Sequence, residues 1–136
     1  DVCAQGETRK FSAGYAILDR EWRDGDEITV DLHMGVKRIL PPEGAVNGDA
    51  FAAYQYGPLV LAADKRIADP DGVIDVVCDG EGMVDFRRGD CPEIKDAHIC
   101  LELPTSEGKV RLIDYASAGK TWTDESRCAA WLYRKK

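Results

Sequence analysis

The sequence predicts an all-β protein, an antiparallel β-sandwich of jelly-roll type with little or no helix. Three observations support this prediction: apolar and polar residues alternate with a period of two, short apolar runs recur along the chain, and Gly, Pro and Asp clusters separate these runs. A length of 136 residues is typical of one domain, so residues 1–136 are expected to fold as a single β-sandwich.

The first predicted hairpin lies near the amino terminus. Apolar and polar side chains alternate over Glu27–Leu32, which is the pattern of a half-buried strand. Tyr15–Arg23 is a second strand candidate, and Asp24 and Gly25 stand between the two runs. Because glycine accepts the positive φ of a tight turn, an Asp-Gly pair in this position predicts a hairpin.

The middle of the chain predicts further strands around two turn signals. Asn47 and Gly48 form a turn signal ahead of a strand over Phe51–Tyr56. A Gly-Pro pair follows, and because Pro58 cannot donate to a strand ladder, it marks the start or the edge of a strand over Leu59–Ala62. The remaining predicted strands are Val73–Cys78, Ala97–Leu103, Val110–Asp114 and Ala129–Tyr133.

Two segments are expected to depart from this pattern. Residues 64–96 hold ten acidic and five basic side chains, and therefore five of the seven net negative charges of the chain. This composition predicts a solvated, loop-rich excursion with one or two strands. The best helix candidate is a short turn near Glu125–Ala130, which Asp124 or Ser126 could cap.

The charge and the apolar runs argue against two classes of partner. A net charge of −7 disfavours nucleic acid or an anionic membrane as the main partner, since both require a cationic surface. The longest apolar runs, Leu59–Ala63 and Cys128–Tyr133, are too short to span a bilayer. Asp1 stands where a complete chain would begin with Met, which suggests a piece cut from a longer protein and leaves the localisation unknown.

The cysteines predict free thiols. Five cysteines stand at positions 3, 78, 91, 100 and 128, an odd number without the CxxC spacing typical of metal or redox sites. Several of them lie in apolar runs, where a thiol behaves as a small hydrophobic group. Free thiols favour a reducing compartment such as the cytoplasm, and one surface disulfide stays open as an alternative.

No sequence motif predicts a catalytic residue, a metal site or a cofactor. Asp69, Asp71 and Asp75 offer oxygen ligands suited to calcium, but the glycine and glutamate spacing of an EF-hand is missing and turn chemistry explains these acids. Asp114 is the least typical acid, because it directly follows an apolar run. It is either one member of a catalytic carboxylate pair or a buried carboxylate bonded to backbone amides, and catalysis is the less favoured interpretation.

The aromatic residues supply the candidate contact surface. Trp22 and Trp131 lie in predicted strands and are expected in the core. Trp122 lies in a loop-like segment and, together with Tyr115, is the candidate contact for a carbohydrate or for a neighbouring domain. Arg20 stands two residues before Trp22, which places the two side chains on one strand face, so the guanidinium is expected over or beside the indole.

Several stretches of the chain resemble a known family. They are Gly14–Ile17, Asp19–Asp26, Leu32–Met34, Tyr56–Leu61 and Asp114–Trp122. These stretches are similar to the carboxy-terminal β-sandwich region of the glycoside hydrolase family 127 proteins, which are β-L-arabinofuranosidases. His33 departs from the family pattern, which usually reads Leu-Pro-Met at this point.

The resemblance implies an accessory role in a larger glycosidase. In that family the preceding α/α barrel is catalytic and carries a cysteine nucleophile among cysteine and glutamate zinc ligands. The chain has no closely spaced cysteines that match this pattern, so no catalytic residue is carried over. The expected function is a non-catalytic β-sandwich domain at the carboxy-terminal end of a β-L-arabinofuranosidase-like enzyme, and the expected partner is the catalytic barrel that it supports.

Two other functions stay open. A carbohydrate-binding module would use Tyr115 and Trp122 as a stacking platform for plant-type glycans. A stand-alone enzyme with a pair of catalytic carboxylates has the least support, because 25 acidic residues make some apparent pair inevitable.

Overall fold

The computed structural model describes residues 1–4, 7–9, 14–120, 122–124 and 126–135. The chain divides into two compact units, Asp1–Met34 and Gly35–Lys136. The described residues form twelve β-strands and one short 3-10 turn, and no α-helix occurs among them. The prediction of an all-β, antiparallel, sandwich-like fold is confirmed.

The first unit contains a small antiparallel sheet. Its strands are β1 (Val2–Ala4), β2 (Glu7–Arg9) and β3 (Ile28–Val30), in the order β2-β1-β3. Cys3 lies opposite Thr29 in the β1–β3 ladder. The backbone N–H of Asp31 donates to the carbonyl of Asp1 at 2.7 Å, which extends this pairing beyond the strands.

The prediction that Tyr15–Arg23 and Glu27–Leu32 form a hairpin is wrong, although the turn predicted between them is present. The backbone N–H of Asp26 donates to the carbonyl of Arg23 at 3.1 Å, and Gly25 adopts a φ of +89°. Tyr15–Arg23, however, forms no strand, and β3 pairs with β1 instead. An Asp-Gly turn reverses the chain locally but does not determine which segment supplies the partner edge.

The second unit is built on one larger antiparallel sheet. In the described part of this unit, seven strands run in the order β7-β4-β5-β6-β10-β9-β8, and two more attach beside them. The strands are β4 (Val36–Ile39), β5 (Phe51–Tyr56), β6 (Leu59–Asp64), β7 (Met83–Val84), β8 (Arg87–Arg88), β9 (Cys100–Thr105), β10 (Gly108–Asp114), β11 (Cys128–Ala129) and β12 (Leu132–Tyr133).

A fork in this sheet explains why the strand predicted over Ala129–Tyr133 is divided in two. β5 and β6 pair only beside their turn, where Gln55 lies opposite Val60. At the open end of this hairpin, β12 pairs with β5 and β11 pairs with β6. The segment between β11 and β12 therefore crosses from one arm of the fork to the other, and it cannot continue as one strand.

Two tight hairpins hold the centre of the sheet. The predicted strands Phe51–Tyr56 and Leu59–Ala62 are confirmed, and the second continues to Asp64. Gly57, with a φ of +53°, and Pro58 form the turn between them. The β9–β10 hairpin contains the strands predicted over Ala97–Leu103 and Val110–Asp114. Their observed boundaries are Cys100–Thr105 and Gly108–Asp114.

Two other expectations need correction. Val73–Cys78 is not a strand, because Val73 and Val76 make only isolated bridges to Tyr133 and Thr105. β4 was not predicted at all. The turn expected over Glu125–Ala130 becomes strand at Cys128, while Glu125 lies outside the described residues. The acidic segment 64–96 is loop-rich as predicted and carries two short strands, β7 and β8.

The core of the second unit lies along its four central strands. β5 and β6 bury neighbouring residues such as Ala52, Ala53, Ala62 and Ala63, and therefore bury both of their faces. A strand is buried on both faces when the sheet curls over it. The largest fully buried side chains besides Tyr54 are Leu61, Ile94, Leu101, Leu103, Leu112, Ile113 and Leu132.

Candidate functional site

Two adjacent strands, β6 and β10, end in buried aspartates. The exposed fraction is 2% for Asp64 and 3% for Asp114. Each aspartate begins a tight turn, because its carbonyl accepts the backbone N–H groups three and four residues further on. Both carboxylates are therefore placed where the chain leaves the sheet.

Both oxygens of the Asp64 carboxylate accept hydrogen bonds. Its Oδ1 accepts from the backbone N–H of Arg66 at 3.1 Å and from Arg66 Nε at 2.8 Å, and its Oδ2 accepts from Arg66 Nη2 at 2.7 Å. Oδ2 also accepts the backbone N–H of Gly119 at 2.9 Å. The hydrogen bond from the Arg66 side chain is the main cause that lowers the pKa of Asp64 from 3.8 to about 2. A general acid requires the opposite shift.

The carboxylate of Asp114 also accepts hydrogen bonds from backbone N–H groups. Its Oδ1 accepts the N–H of Ile99 at 3.0 Å, and its Oδ2 accepts the N–H of Ser117 at 3.0 Å. The hydroxyl oxygen of Ser117, which is fully buried, accepts the N–H of His98 at 3.2 Å. These contacts agree with the interpretation of Asp114 as a buried carboxylate bonded to backbone amides, and they give a catalytic pair no support.

Tyr115 and Trp122, the two predicted contact residues, flank the turn that follows β10. The exposed fraction is 57% for Tyr115 and 61% for Trp122. Trp122 lies against Gly119, so closely that a Cβ added to Gly119 would lie 2.6 Å from the indole ring. Among the described residues, the ring pairs are Phe51–Tyr133 and Tyr56–Phe86, so Tyr115 and Trp122 do not stack on one another.

The other two tryptophans are more exposed than expected. Trp22 and Trp131 were predicted to lie in the core, but both are nearly half exposed. Their segments are irregular rather than strand, so the alternation that suggested burial does not apply. The predicted contact between Arg20 and Trp22 is confirmed, with the guanidinium carbon 4.8 Å from the centre of the indole ring.

The first unit exposes a row of apolar side chains. Ile28, Val30 and Leu32, here called the apolar row, have exposed fractions of 49%, 55% and 73%. The alternation of these residues predicted a strand with one buried face, and the strand is present without the burial. Leu32 follows the end of β3, and the apolar row is the candidate interaction surface of this unit if the three side chains form one contiguous patch.

The structure also tests the interpretation of the acidic turns. Asp69 Oδ1 accepts the backbone N–H of Asp71 at 3.1 Å, and Asp79 Oδ1 accepts the N–H groups of Glu81 and Met83. These contacts are those of Asp residues that stabilise turns. In the part of the chain that the structure describes, no group of three or more His, Cys, Asp or Glu side chains is arranged to hold a metal ion.

A cysteine pair lies beside an open depression of about 750 Å³ along the loop that joins β8 to β9. Cys91, in this loop, packs against the buried cluster that Cys100, at the start of β9, forms with Ile94 and Ile113. Burial raises the pKa of both, that of Cys100 to about 12. Their separation of nine residues gave no signal in the sequence.

Comparisons with known proteins add no assignment. The chain matches no protein-family profile, no curated protein and no solved structure. In the described residues, no helix is long and apolar enough to cross a membrane.

Sequence reasoning missed the contact between Asp64 and Gly119. The one available signal was an aspartate directly after the apolar run that ends at Ala63, which is the same signal that drew attention to Asp114. Nothing in the sequence indicates that Gly119, 55 residues later, is the partner.

Proposed function

We propose that this chain is a non-catalytic accessory domain of a β-L-arabinofuranosidase-like glycoside hydrolase. Its function is to support the catalytic α/α barrel of the parent enzyme, and the apolar row contributes to the contact. The observation that carries the proposal is the exposure of Ile28, Val30 and Leu32. Leu32 belongs to the family-like stretch Leu32–Met34, and Ile28 and Val30 lie between this stretch and Asp19–Asp26.

The apolar row supports a protein partner because of its chemistry. Three branched aliphatic side chains in solvent make no favourable contact with water, and covering them with another apolar surface is favourable by about 25 cal/mol per Å². Exposed Tyr15 and Ile17 belong to the same unit and lie in the family-like stretch Gly14–Ile17. Aliphatic side chains are poor sugar platforms, since sugars stack on flat aromatic rings, so the row favours a protein over a glycan.

The buried acids support a non-catalytic role. A glycosidase of the two-carboxylate type needs one acid that holds its proton near neutral pH. The lowered pKa of Asp64 keeps that carboxylate ionised, and the oxygens of Asp114 accept backbone N–H groups. Both residues therefore stabilise turns.

The first test is an assay of the chain alone. The purified chain is expected to fold, as judged by a cooperative unfolding transition, and to release no product from a chromogenic β-L-arabinofuranoside with or without added zinc. Zinc-dependent turnover by the pure chain, removed by a chelator, would contradict the proposal.

The second test measures binding to the barrel of the parent enzyme, produced as a separate polypeptide. Leu32→Asp is expected to weaken binding by roughly tenfold or more, because it places a charge in a desolvated contact. Leu40→Asp is the matched control, since Leu40 is also half exposed but belongs to the second unit. Equal binding of the wild type and both variants would rule out the apolar row as the interface.

The second candidate function is a carbohydrate-binding module. The exposure of Tyr115 and Trp122 near one turn favours it, and the contact with Gly119 holds the indole ring in place. Stacking of a sugar ring on an exposed aromatic side chain requires no charged partner. Plant-type arabinans are the first glycans to test.

Calorimetry with arabinan oligosaccharides separates this candidate from the first. A binding module is expected to lose most of its affinity on Trp122→Ala or Tyr115→Ala. Trp131→Ala and Tyr15→Ala are the matched controls, because Trp131 and Tyr15 are exposed elsewhere on the chain. Absence of binding, or binding that survives Trp122→Ala, would exclude a sugar platform at this turn.

A further inference from the structure

We propose that Cys91 and Cys100 are a redox-active dithiol, which a low-molecular-weight disulfide oxidises to an intramolecular disulfide that fastens the β8–β9 loop to the sheet. Cys91 packs against the buried cluster that Cys100 forms with Ile94 and Ile113, and the thiol of Cys100 lies 3.7 Å from the carbonyl oxygen of Asp90, the residue before Cys91. Cys91 and Cys100 therefore lie close to one another at the base of the β8–β9 loop.

The backbone holds the two cysteines in this relationship. Gly89, two residues before Cys91, donates its N–H to the carbonyl of Cys100 at 3.0 Å. The thiol of Cys100 contacts the carbonyl of Asp90 at 3.7 Å. The sheet thus fixes the start of the loop against the first residue of β9, and Cys91 follows within two residues of that anchor.

Arg111 holds the outer side of the same loop. Its Nη1 donates to the carbonyl of Asp90 at 3.1 Å, and its two terminal nitrogens bind the carboxylate of Glu93 at 3.0 and 2.6 Å. Asp90 and Glu93 bracket Cys91 in the sequence, so this clamp restricts the movement of Cys91 away from Cys100. A restricted pair loses little entropy when the bond forms.

The exchange reaction balances with a small disulfide, written RSSR, as oxidant. The thiolate of Cys91, the less buried of the two, attacks RSSR, so that a Cys91–S–S–R bond forms and one RS⁻ leaves. The sulfur of Cys100 then loses its proton to solvent and attacks the Cys91 sulfur, which expels the second RS⁻. The two cysteines lose two electrons and two protons, and RSSR is reduced to two RSH.

The two thiols also influence each other's titration. Burial is the main cause that raises the pKa of Cys100, and the neighbouring Cys91 raises it further. Formation of the mixed disulfide removes the contribution of Cys91, because a disulfide sulfur carries no charge. The first step therefore makes Cys100 a better nucleophile for the second step.

Peptide mapping of the wild-type chain tests the proposal. The folded chain is incubated with glutathione disulfide at mildly alkaline pH, alkylated, and digested with trypsin without reduction. Because Lys95 lies between the two cysteines, trypsin places Cys91 in peptide 89–95 and Cys100 in peptide 96–109. The expected product is these two peptides joined, with a mass two hydrogen atoms below their sum and separated by dithiothreitol.

The thermal unfolding midpoint gives a second readout. The oxidised chain is expected to unfold roughly 5 °C above the reduced chain, because the disulfide restricts the unfolded state. Cys91→Ala should abolish this difference, and Cys78→Ala, the control, should keep it. Separate alkylated peptides after oxidation, or Cys91 joined to Cys3 or Cys128 instead, would overturn the proposal.

Discussion

The backbone N–H of Gly119 donates to the carboxylate of Asp64 at 2.9 Å, across 55 residues of sequence. This bond ties the turn after β6 to the turn after β10. Arg66 binds the same carboxylate, so a single buried aspartate fixes its own turn and a distant one. Gly119 in turn lies against the indole of Trp122, which connects this structural contact to the candidate binding surface.

Asp64→Asn is expected to destabilise the chain by about 2 kcal/mol at neutral pH, the free energy that corresponds to a pKa lowered from 3.8 to about 2. Because the pKa is lower in the folded state, the wild-type advantage is complete above pH 4. It is lost as the pH falls from about 4 to about 2. Urea unfolding of both proteins across this range measures the effect.

The control for this prediction is Asp69→Asn, which alters an exposed carboxylate that also accepts a backbone N–H. Its unfolding free energy should follow that of the wild type within about 0.5 kcal/mol at every pH. If the difference in unfolding free energy between the wild type and Asp64→Asn stays constant down to pH 2, the lowered pKa of Asp64 is not its cause.

Ser117→Ala is expected to cost about 1–3 kcal/mol, because it leaves the backbone N–H of His98 without its acceptor inside the protein. Ser106→Ala, in the exposed β9–β10 turn, should change the unfolding free energy by less than about 0.5 kcal/mol. Chemical denaturation measures both variants, and equal effects would show that burial of the Ser117 hydroxyl is unimportant.

Gly119→Ala is expected to cost about 1–2 kcal/mol, since Gly119 has a φ of +70°, and to displace the Trp122 ring as well. Gly44→Ala is the matched control: Gly44 has a φ of +83° but nothing within 4 Å of an added Cβ. The two variants should lose similar stability, whereas only Gly119→Ala should change the tryptophan fluorescence. Unchanged emission in Gly119→Ala would mean that the indole does not rest on Gly119.

Leu112→Ala is expected to destabilise the second unit by about 2–5 kcal/mol, because Leu112 is fully buried in β10. Leu40→Ala removes the same atoms from a half-exposed position and should cost less than about 1 kcal/mol. Thermal unfolding measures both, and a loss of stability in Leu40→Ala as large as that in Leu112→Ala would place the core elsewhere.

The parts of the fold that were predicted from sequence depend on neighbours in the chain. Phe51–Tyr56 and the strand that starts at Leu59 were found because the Gly57-Pro58 turn joins them directly. Val73–Cys78 has similar residues, but the sheet offers it no long edge, and only isolated bridges form. Local propensity gives a segment the capacity for a strand, and a partner edge is needed to make it one.

For the candidate surfaces too, local sequence predicted some features and the tertiary structure decided others. The sequence identified Tyr115 and Trp122 as surface candidates, and both side chains are exposed in the structure. The alternation over Glu27–Leu32 identified an apolar face and wrongly assigned it to the core. Periodicity states which side chains share a face, and it carries no information about what covers that face.

The sequence by itself determined the all-β class, the central hairpins and the acidic loop-rich segment, because period-two alternation, turn residues and charge act over a few neighbouring residues. Only the tertiary structure decided the fork that divides β11 from β12, the bond between Asp64 and Gly119, and the meeting of Cys91 with Cys100. Each of these contacts joins segments whose approach depends on the packing of the whole sheet, and no local pattern encodes that packing.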